Sequence, residues 1–589
     1  MASRKKTPTK PSKQPATKKP LKSQVASKAP KVAKSPKVAK APKSAKTPKY
    51  IFIVGGVMSG VGKGVASSSI ATCLQARGLS VTAMKIDPYI NVDAGTMNPT
   101  EHGECFVLRD GLETDQDMGN YERFLNVDLP AINYMTTGSV YQSVIEKERN
   151  LEYGGRNVQV VPDIPEEVIR RIKLAGKEAN ADVIQIEVGG TVGEYENILF
   201  IEAIRLLKQE CPADVAVVMV SYLPVPGSVG EMKTKPTQHA VRVLGSNGVM
   251  PDMIVARSSA VIDEKRKEKL ARFCGVKLEN IISAPDVASI YDIPLNFEED
   301  NLSLRLCSQL GLKCKPKADL SGWKKFVKRS KGGRDTVKIA VVGKYFSSGD
   351  FVLSDVYLSV LEAIKYSAYD LNLTPEISYL SAADFEDKTN LKQLKKFDGV
   401  LIPGGFGKTG VAGKLNVIEY VRKQGIPYFG ICYGMQLMVL EYAQNVLKLK
   451  RASTEEINPK ADHLVIAVQE SQKDVIKEKR MGGTMRLGAY DAHLTKGSQA
   501  QKAYKSSVIT ERHRHRYEVN PEYIEALTDK GLVFSGASPD GALMEIAELP
   551  ATDHPFFVGV QFHPELQARP LAPHKLFTAF VKASYENHS

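Results

Sequence analysis

Several things are scarce in this 589-residue chain. No run of about 18 apolar residues occurs, so nothing in it reads as a membrane-spanning helix. The amino-terminal stretch is basic but lacks an apolar core segment, which argues against a secretory signal. Cysteine is sparse: seven, scattered and odd in number, do not make a disulfide framework, and a reducing, cytoplasmic setting is expected. Acidic residues are missing altogether from residues 1–49, which hold 15 Lys and one Arg, and no aromatic residue precedes Tyr50. The formal charge of +14 therefore resides in this stretch, because the remainder carries 64 basic against 66 acidic residues.

What the stretch does contain is a repeat. "KVAKSP", "KVAKAP" and "KSAKTP" follow one another over residues 31–48. Proline every six residues breaks helices and dense like charge opposes collapse, so residues 1–49 are expected to be a disordered tail. Such a tail is either a plain solvated appendage or an arm that binds polyanions, with nuclear targeting as a further use.

From Tyr50 onward the composition is that of an ordinary globular protein, and apolar strand-like runs alternate with helical stretches. "YIFIVGG", "LSVTAMKID", "ADVIQIEVGG", "DVAVVMVSY" and "DMIVARS" predict a mostly parallel α/β sheet in a first domain over residues 50–316. Residues 317–336, polar and basic, read as a linker. "VKIAVVGKY", "PEISYLS", "FDGVLIPGG", "IPYFGIC" and "FFVGVQFHPE" predict a second α/β domain over residues 337–582, leaving 583–589 as a carboxyl-terminal end.

In the second domain, "IPYFGICYGMQ" places Cys432 at a strand-to-helix turn between Gly430 and Gly434. Such turns hold a nucleophile above the sheet, and the following helix amino terminus favours thiolate. "GVQFHPEL" offers His563 as base and Glu565 as its orienter, two residues apart on extended chain and so on one face. This order of nucleophile, His and Glu resembles the class I glutamine amidotransferases, in which cysteine releases ammonia from glutamine. The resemblance implies oxyanion donors from Gly405 and the Tyr433 N–H. "GGFGKTG" is a decoy: its Gly407-Lys408-Thr409 lacks the first glycine of a phosphate loop.

The first domain opens on "VGGVMSGVGKGVASSS", where Gly55, Gly56, Gly60, Gly62 and Gly64 surround Lys63. Backbone N–H groups of such a turn can wrap phosphates. The residue after Lys63 is Gly64, with no hydroxyl for a magnesium ion, so carboxylates elsewhere have to hold the metal. Glu187, at the end of an apolar strand before two glycines, and Asp115 and Asp117 in "GLETDQDMGNYERF" are the candidates.

Over residues 50–582 the chain closely resembles the cytidine triphosphate (CTP) synthases. "KIDPYINVDAGTMNPTEHGE", "ETDQDMGNYERF", "EVGGTVGEYEN", "GEMKTKPTQHAVR", "GICYGMQ", "GGTMRLGA", "ERHRHRYEVN" and "QFHPE" match that family's segments in order. The resemblance implies ATP-dependent amination of UTP to CTP, with ammonia passing from a glutaminase domain to a synthase domain. It implies that Gly60, Val61, Gly62, Lys63, Gly64 and Val65 bind ATP with Asp286 and Val287 at the adenine, and that Asp117 and Glu187 hold Mg2+. Lys85 is implied as a second catalytic lysine. Ser59, Lys233, Thr234, Lys235, Pro236, Thr237 and Gln238 match UTP positions, and Glu194, Tyr195, Glu196 and Lys269 match positions used by UTP or inhibitory CTP. For L-glutamine it implies Gly405, Tyr433, Gly434, Met435, Gln436, Glu455 and Arg486. A homotetramer with nucleotide sites near subunit interfaces, filaments, and GTP as allosteric activator are further implications. One departure is visible: the family carries Arg-Gly where this chain has Thr409-Gly410, in the loop tied to GTP activation.

Two other readings compete. A different amidotransferase-linked synthetase of the same plan is disfavoured by "GEMKTKPTQHAVR", whose two lysines at i, i+2 suit a triphosphate. A catalytically dead scaffold is disfavoured by the presence of Cys432, His563 and Lys63 together.

Overall fold

The computed structural model describes residues 47–588 except 228–229, 334, 345–346, 349–350, 353, 470–471, 474–476 and 478–481. The repeat-bearing tail thus lies, but for its last three residues, outside the described residues.

The amino-terminal half is built on seven strands: β1 (Lys49–Gly56), β2 (Val81–Asp87), β3 (Tyr134–Thr136), β4 (Val183–Val188), β5 (Val215–Tyr222), β6 (Met253–Ser258) and β7 (Ile281–Pro285). They lie in the order β3-β2-β4-β1-β5-β6-β7, and every pairing is parallel. Both faces are covered, which is why the strands read as unbroken apolar runs; all residues of β4 and β5 except Tyr222 are buried. The first strand begins at Lys49, one residue before the expected boundary. Three helices matter for the site: α1 (Lys63–Ala76) after β1, α2 (Gln116–Leu125), and α3 (Lys235–Ser246). The register places Glu187 of β4 beside both Ile53 of β1 and Lys85 of β2.

Residues 317–336, expected as a linker, carry the helix α4 (Ser321–Ser330). Trp323, Phe326 and Val327 fall on one helical face and are buried, among Phe124 and Tyr291 of the first half and Tyr366 of the second. The Trp323 indole N–H donates to the Tyr291 carbonyl at 2.7 Å. The basic residues that suggested a linker occupy the opposite face of a packed interdomain helix.

The carboxyl-terminal half holds a nine-stranded mixed sheet: β8 (Asp335–Gly343), β9 (Leu373–Ser381), β10 (Gly399–Ile402), β11 (Tyr428–Ile431), β12 (Arg486–Leu494), β13 (Val508–His515), β14 (Val533–Ala537), β15 (Met544–Glu548) and β16 (Phe557–Val560). Their order is β9-β8-β10-β11-β16-β15-β14-β12-β13, parallel from β9 to β16 and antiparallel beyond. Four helices flank it: α5 (Leu358–Asp370), α6 (Val411–Gln424), α7 (Tyr433–Asn445) and α8 (Lys575–His588). The last of these takes in residues 583–588, set apart in the sequence reading as an end piece. Among the described residues no helix is long and apolar enough to cross a membrane, and all seven cysteines are free thiols.

Strand β13 stitches the halves together through "RHRHR". Side chains alternate along it, so Arg512 and Arg514 leave on one face while His513 and His515 turn into the sheet's own interior. Fully buried Arg512 donates to Glu122 at 2.8 Å and to the Val107 carbonyl at 3.0 Å, and Arg514 donates to Glu113 at 2.8 Å.

Candidate functional site

The loop after β1 turns through Gly60 (φ +70°) and Gly62 (φ +85°), left-handed conformations that suit glycine, and Gly62 caps α1. Lys63 folds back to donate to the Gly190 carbonyl at 2.8 Å. Burial draws its ammonium below the ordinary lysine range, against the pull of Glu187. Gly64 supplies the piece that the sequence left open. A Cβ built there would lie 2.9 Å from Asp117 Cγ, and nearer still to its carboxylate oxygen. The carboxylate of Asp117 therefore fills the place where a side chain following Lys63 would stand.

Asp117 is set in the first turn of α2, whose amino cap is Asp115; the Asp117 N–H donates to the Asp115 carboxylate at 2.9 Å. Its carboxylate pairs with Lys85, which also sits 3.3 Å from Asp87, 3.5 Å from Glu187 and 4.0 Å from Asp115. Burial opposes the charge on Lys85, but these carboxylates overcome it and hold it firmly protonated. Among the acids the same crowding works the other way. Burial lifts Glu187 and Asp87 above the usual range and Asp115 to about 8, while Asp117, buried too, is held low by Lys85. Two lysines, Lys63 and Lys85, thus face this group of acids.

No group of three or more His, Cys, Asp or Glu among the described residues is placed to hold a metal by itself. Magnesium needs only one or two protein carboxylates when phosphate oxygens complete its shell. Asp117 and Glu187, hard oxygen donors beside the phosphate loop, fit that second arrangement.

Two cavities open on this loop. One, of about 320 Å3, brings Gly62 and Val65 together with Asp286 and Val287. The other, of about 470 Å3, brings Ser59 together with Glu194 and Pro236. The remaining residues of the UTP and CTP set are more scattered. Thr237 bonds Ser221 at 2.8 Å and Gln238 bonds Thr234 at 3.1 Å, both buried at the start of α3. Lys235 stands over the Phe273 ring, and Lys233 pairs with Glu231 at 2.8 Å. Tyr195, 91% exposed, and the exposed Glu196 and Lys269 lie outside the walls of either cavity.

In the second half Cys432 has φ +49° and ψ −100°, a strained backbone for a residue with a side chain, at the junction of β11 and α7. Both neighbouring glycines are required. A Cβ on Gly430 would come within 2.8 Å of the Gly434 carbonyl carbon, and one on Gly434 would run into the Ile402 carbonyl. The Cys432 N–H is held by the Val560 carbonyl at 2.6 Å, so β16, which leads into His563, also positions Cys432. His563 Nδ1 meets Glu565 Oε1 at 2.7 Å, and its Nε2 is buried with no hydrogen-bond partner. Burial disfavours the imidazolium, but Glu565 and the Cys432 sulfur outweigh it and raise His563 to about 10.

A cavity of about 80 Å3 encloses this group. Gly404, Gly405 and Phe406 form one wall, and a Cβ on Gly404 would lie 2.8 Å from His563 Cε1. Three lining residues, Pro99, Glu104 and Cys105, come from the other half of the chain. Tyr433 is buried, with its hydroxyl on the Gly407 carbonyl at 2.7 Å. Met435 packs near Gly559, and Gln436 bonds Tyr517 and Gln561, so both side chains turn into the core. Glu455 accepts from the Val468 N–H at 2.7 Å. Arg486 is spent on a buried bridge to Glu545 at 2.7 Å and a stack on Tyr490; like Glu455, it does not line this cavity.

The sequence reading assigned no role to Arg514, Glu104 or Gln561. Arg514 lies in the cavity wall over the Phe406 ring, and Gln561 reaches the Cys432 sulfur at 3.7 Å. Alternation in "RHRHR" and adjacency to "FHPE" were the available signals; Glu104 closes "KIDPYINVDAGTMNPTEHGE", but nothing local in that segment points to Ser359, 255 residues away.

Residues 49–312 match the family model for the CTP synthase N-terminus, and residues 352–583 that for class I glutamine amidotransferases. A CTP synthase of Halalkalibacterium halodurans is 46% identical over 91% of this chain and 99% of that protein. One from Methanothrix thermoacetophila is 47% identical over 91% of this chain and 96% of its own length. A solved Trypanosoma brucei CTPS glutaminase domain with bound acivicin is 35% identical, covering 43% of this chain and 94% of that one with a TM-score of 0.39. A phosphate loop and a cysteine–histidine–glutamate site in one chain, with near-full-length relatives of that kind, lead to one conclusion: the chain belongs to the CTP synthase family.

Proposed function

We propose that the chain converts UTP to CTP, using ATP to activate the uracil 4-oxygen and ammonia freed from glutamine to replace it. The observation that carries this reading is the shared wall. The cavity holding Cys432 and His563 is closed by Pro99, Glu104 and Cys105 of the phosphate-loop half. Ammonia made there is released at the junction of the two halves rather than into solvent.

The 4-oxygen of uracil is a poor leaving group, and its phosphorylation turns it into phosphate. Lys63 and Lys85 neutralise charge on the transferring phosphoryl group. When bound, Mg2+ offsets charge on the ATP phosphates, with Asp117 and Glu187 as its protein ligands. ATP lies along the loop of Gly60, Val61, Gly62, Gly64 and Val65 with its base toward Asp286 and Val287. UTP lies toward Ser59, Glu194 and Pro236. In the glutaminase, Cys432 attacks the side-chain amide with His563 as base and then acid, Glu565 fixing the imidazole. N–H groups of Gly405 and Tyr433 receive the oxyanion.

Tyr195, Glu196 and Lys269 are exposed and Lys233 is half-buried; their use calls for a second copy of the chain against that face, as in the tetramer that the family resemblance implies. GTP activates through the loop at Lys408 and Thr409, weakened by the missing arginine. The protein is cytoplasmic, and its tail adds polyanion binding. The test is incubation with UTP, MgATP and glutamine, followed by mass analysis. Replacement of the uracil oxygen by an amine supports the reading, and unchanged UTP beside released glutamate rejects it.

A further inference from the structure

Glutamine hydrolysis has a proton to dispose of. Water and the amide yield ammonia and a γ-carboxylic acid, which ionises near neutral pH and releases one proton in the same small site. Ammonia is a far stronger base than the product carboxylate, and once protonated it has no lone pair with which to attack. Passing nitrogen onward in its reactive form requires another acceptor for that proton.

Neither member of the dyad serves. His563 gives its proton to the departing nitrogen and regains one from the water that cleaves the thioester, so its account closes without taking up the extra proton. Glu565 is bound to His563 Nδ1. The remaining carboxylate in the cavity wall is Glu104. It is half-buried and arrives from the synthase half. The Ser359 N–H, in the first turn of α5, donates to its two oxygens at 3.1 and 3.2 Å, and the Ser359 hydroxyl donates to it as well. Arg123 donates to the Ser359 oxygen at 3.0 Å rather than to the carboxylate. Glu104 is thus a carboxylate held by neutral donors, in a cavity large enough for an ammonia or a water molecule.

We propose that Glu104 is the proton acceptor that keeps nitrogen released at Cys432 as neutral ammonia while it crosses to the synthase half. In the step, the proton freed on ionisation of the product γ-carboxyl bonds to a Glu104 oxygen. Carboxylate becomes carboxylic acid, ammonia keeps its lone pair, and the proton leaves to solvent between turnovers. A buried ammonium–carboxylate pair and its neutral ammonia–acid counterpart differ by this one transfer, and low dielectric favours the neutral pair. The acidity of Glu104 suits the task. Burial pushes it up, Ser359 and Arg123 pull it down and Glu565 pushes it up again, to about 7 in all. Arg514, His563, Tyr357, Cys105 and Cys432 are the other titratable or charged groups of the cavity wall. The proposal rests on the CTP-forming activity proposed above.

The test is the ratio of CTP to glutamate formed in Glu104→Gln and Glu104→Ala, beside CTP formation from ammonium salt. Gln keeps an acceptor for the Ser359 N–H and loses the proton site; Ala loses both. Glu104→Gln is expected to lower CTP per glutamate at least about fivefold at neutral pH, with ammonia-dependent synthesis within about twofold of the parent. In the parent protein the ratio should rise as pH passes upward through about 7 and the carboxylate forms. In the Gln variant it should stay low until alkaline pH keeps ammonia neutral by itself. Loss of coupling in Ala alone, with Gln at the parent ratio, would reduce Glu104 to a helix cap and overturn the proposal. So would a parent ratio flat from acid to alkaline pH. A parent protein that makes no CTP even from ammonium salt would instead reject the underlying activity.

Discussion

Gly64→Ser gives the phosphate loop the hydroxyl that a nucleotide-binding turn of this type ordinarily carries, and it should nonetheless disable the enzyme. The serine Cβ would stand 2.9 Å from Asp117 Cγ, with the carboxylate oxygen closer, so the two cannot coexist. Of the pair, Asp117 is the one free to move, being the end of a short side chain at a helix amino terminus. Relieving the clash takes a shift of about 1 Å, and overpacking of this kind costs about 1–3 kcal/mol, at the low end where a side chain can swing away. Lys85 keeps Asp87 and Glu187 as partners, so the fold should survive. The chemistry should not. A catalytic group misplaced by about 1 Å costs about 10²-fold in rate. CTP synthesis from ammonium salt, at saturating UTP and MgATP, should fall by about that factor, while glutamate release at Cys432 stays near the parent rate and serves as a folding control. Ammonia-dependent synthesis within about threefold of the parent would refute the argument that Asp117 occupies the missing side chain's place for a catalytic reason.

Cys432→Ala should abolish glutamine-dependent synthesis and leave synthesis from ammonium salt largely intact; equal loss with both nitrogen sources would reject the split site. His563, raised to about 10 from an ordinary 6.5, contributes stability that is complete below about 6.5 and lost as pH climbs through 10. Thermal midpoints should therefore decline over that window, and Glu565→Gln, which removes the strongest group raising His563, should flatten the decline. Thr409→Arg should strengthen stimulation by GTP without altering ammonia-dependent rates, unless the parent already responds strongly through another cation. Deleting residues 1–49 takes formal charge from +14 to −2 and should sharply reduce retention on a polyanion column, steeply so with salt, while catalysis is unchanged.

Short-range pattern was enough for much of this protein. Alternation of apolar runs with helical stretches is a local property, so the two α/β halves and ten of their strands were legible from residues alone. So were the strand-to-helix turn at Cys432, because Gly430 and Gly434 sit beside it, and the pair His563 and Glu565, because extended chain puts i and i+2 on one face. The missing hydroxyl at Gly64 pointed to carboxylates elsewhere, and a carboxylate does stand against Gly64. Which carboxylate stands in that place is a matter of packing between α1 and α2, 53 residues apart, and no local pattern encodes such a distance. The same holds for α4, whose charged face hid an amphipathic helix until Trp323, Phe326 and Val327 found their partners in both halves. Arg486 was given by the resemblance as a glutamine position; that its guanidinium also bridges Glu545 could not be read from the sequence, because the two are 59 residues apart and meet only in the folded sheet. Glu104 was silent in the sequence because its meaning depends on Ser359 and Cys432, which share a cavity with it only once the two sheets have docked.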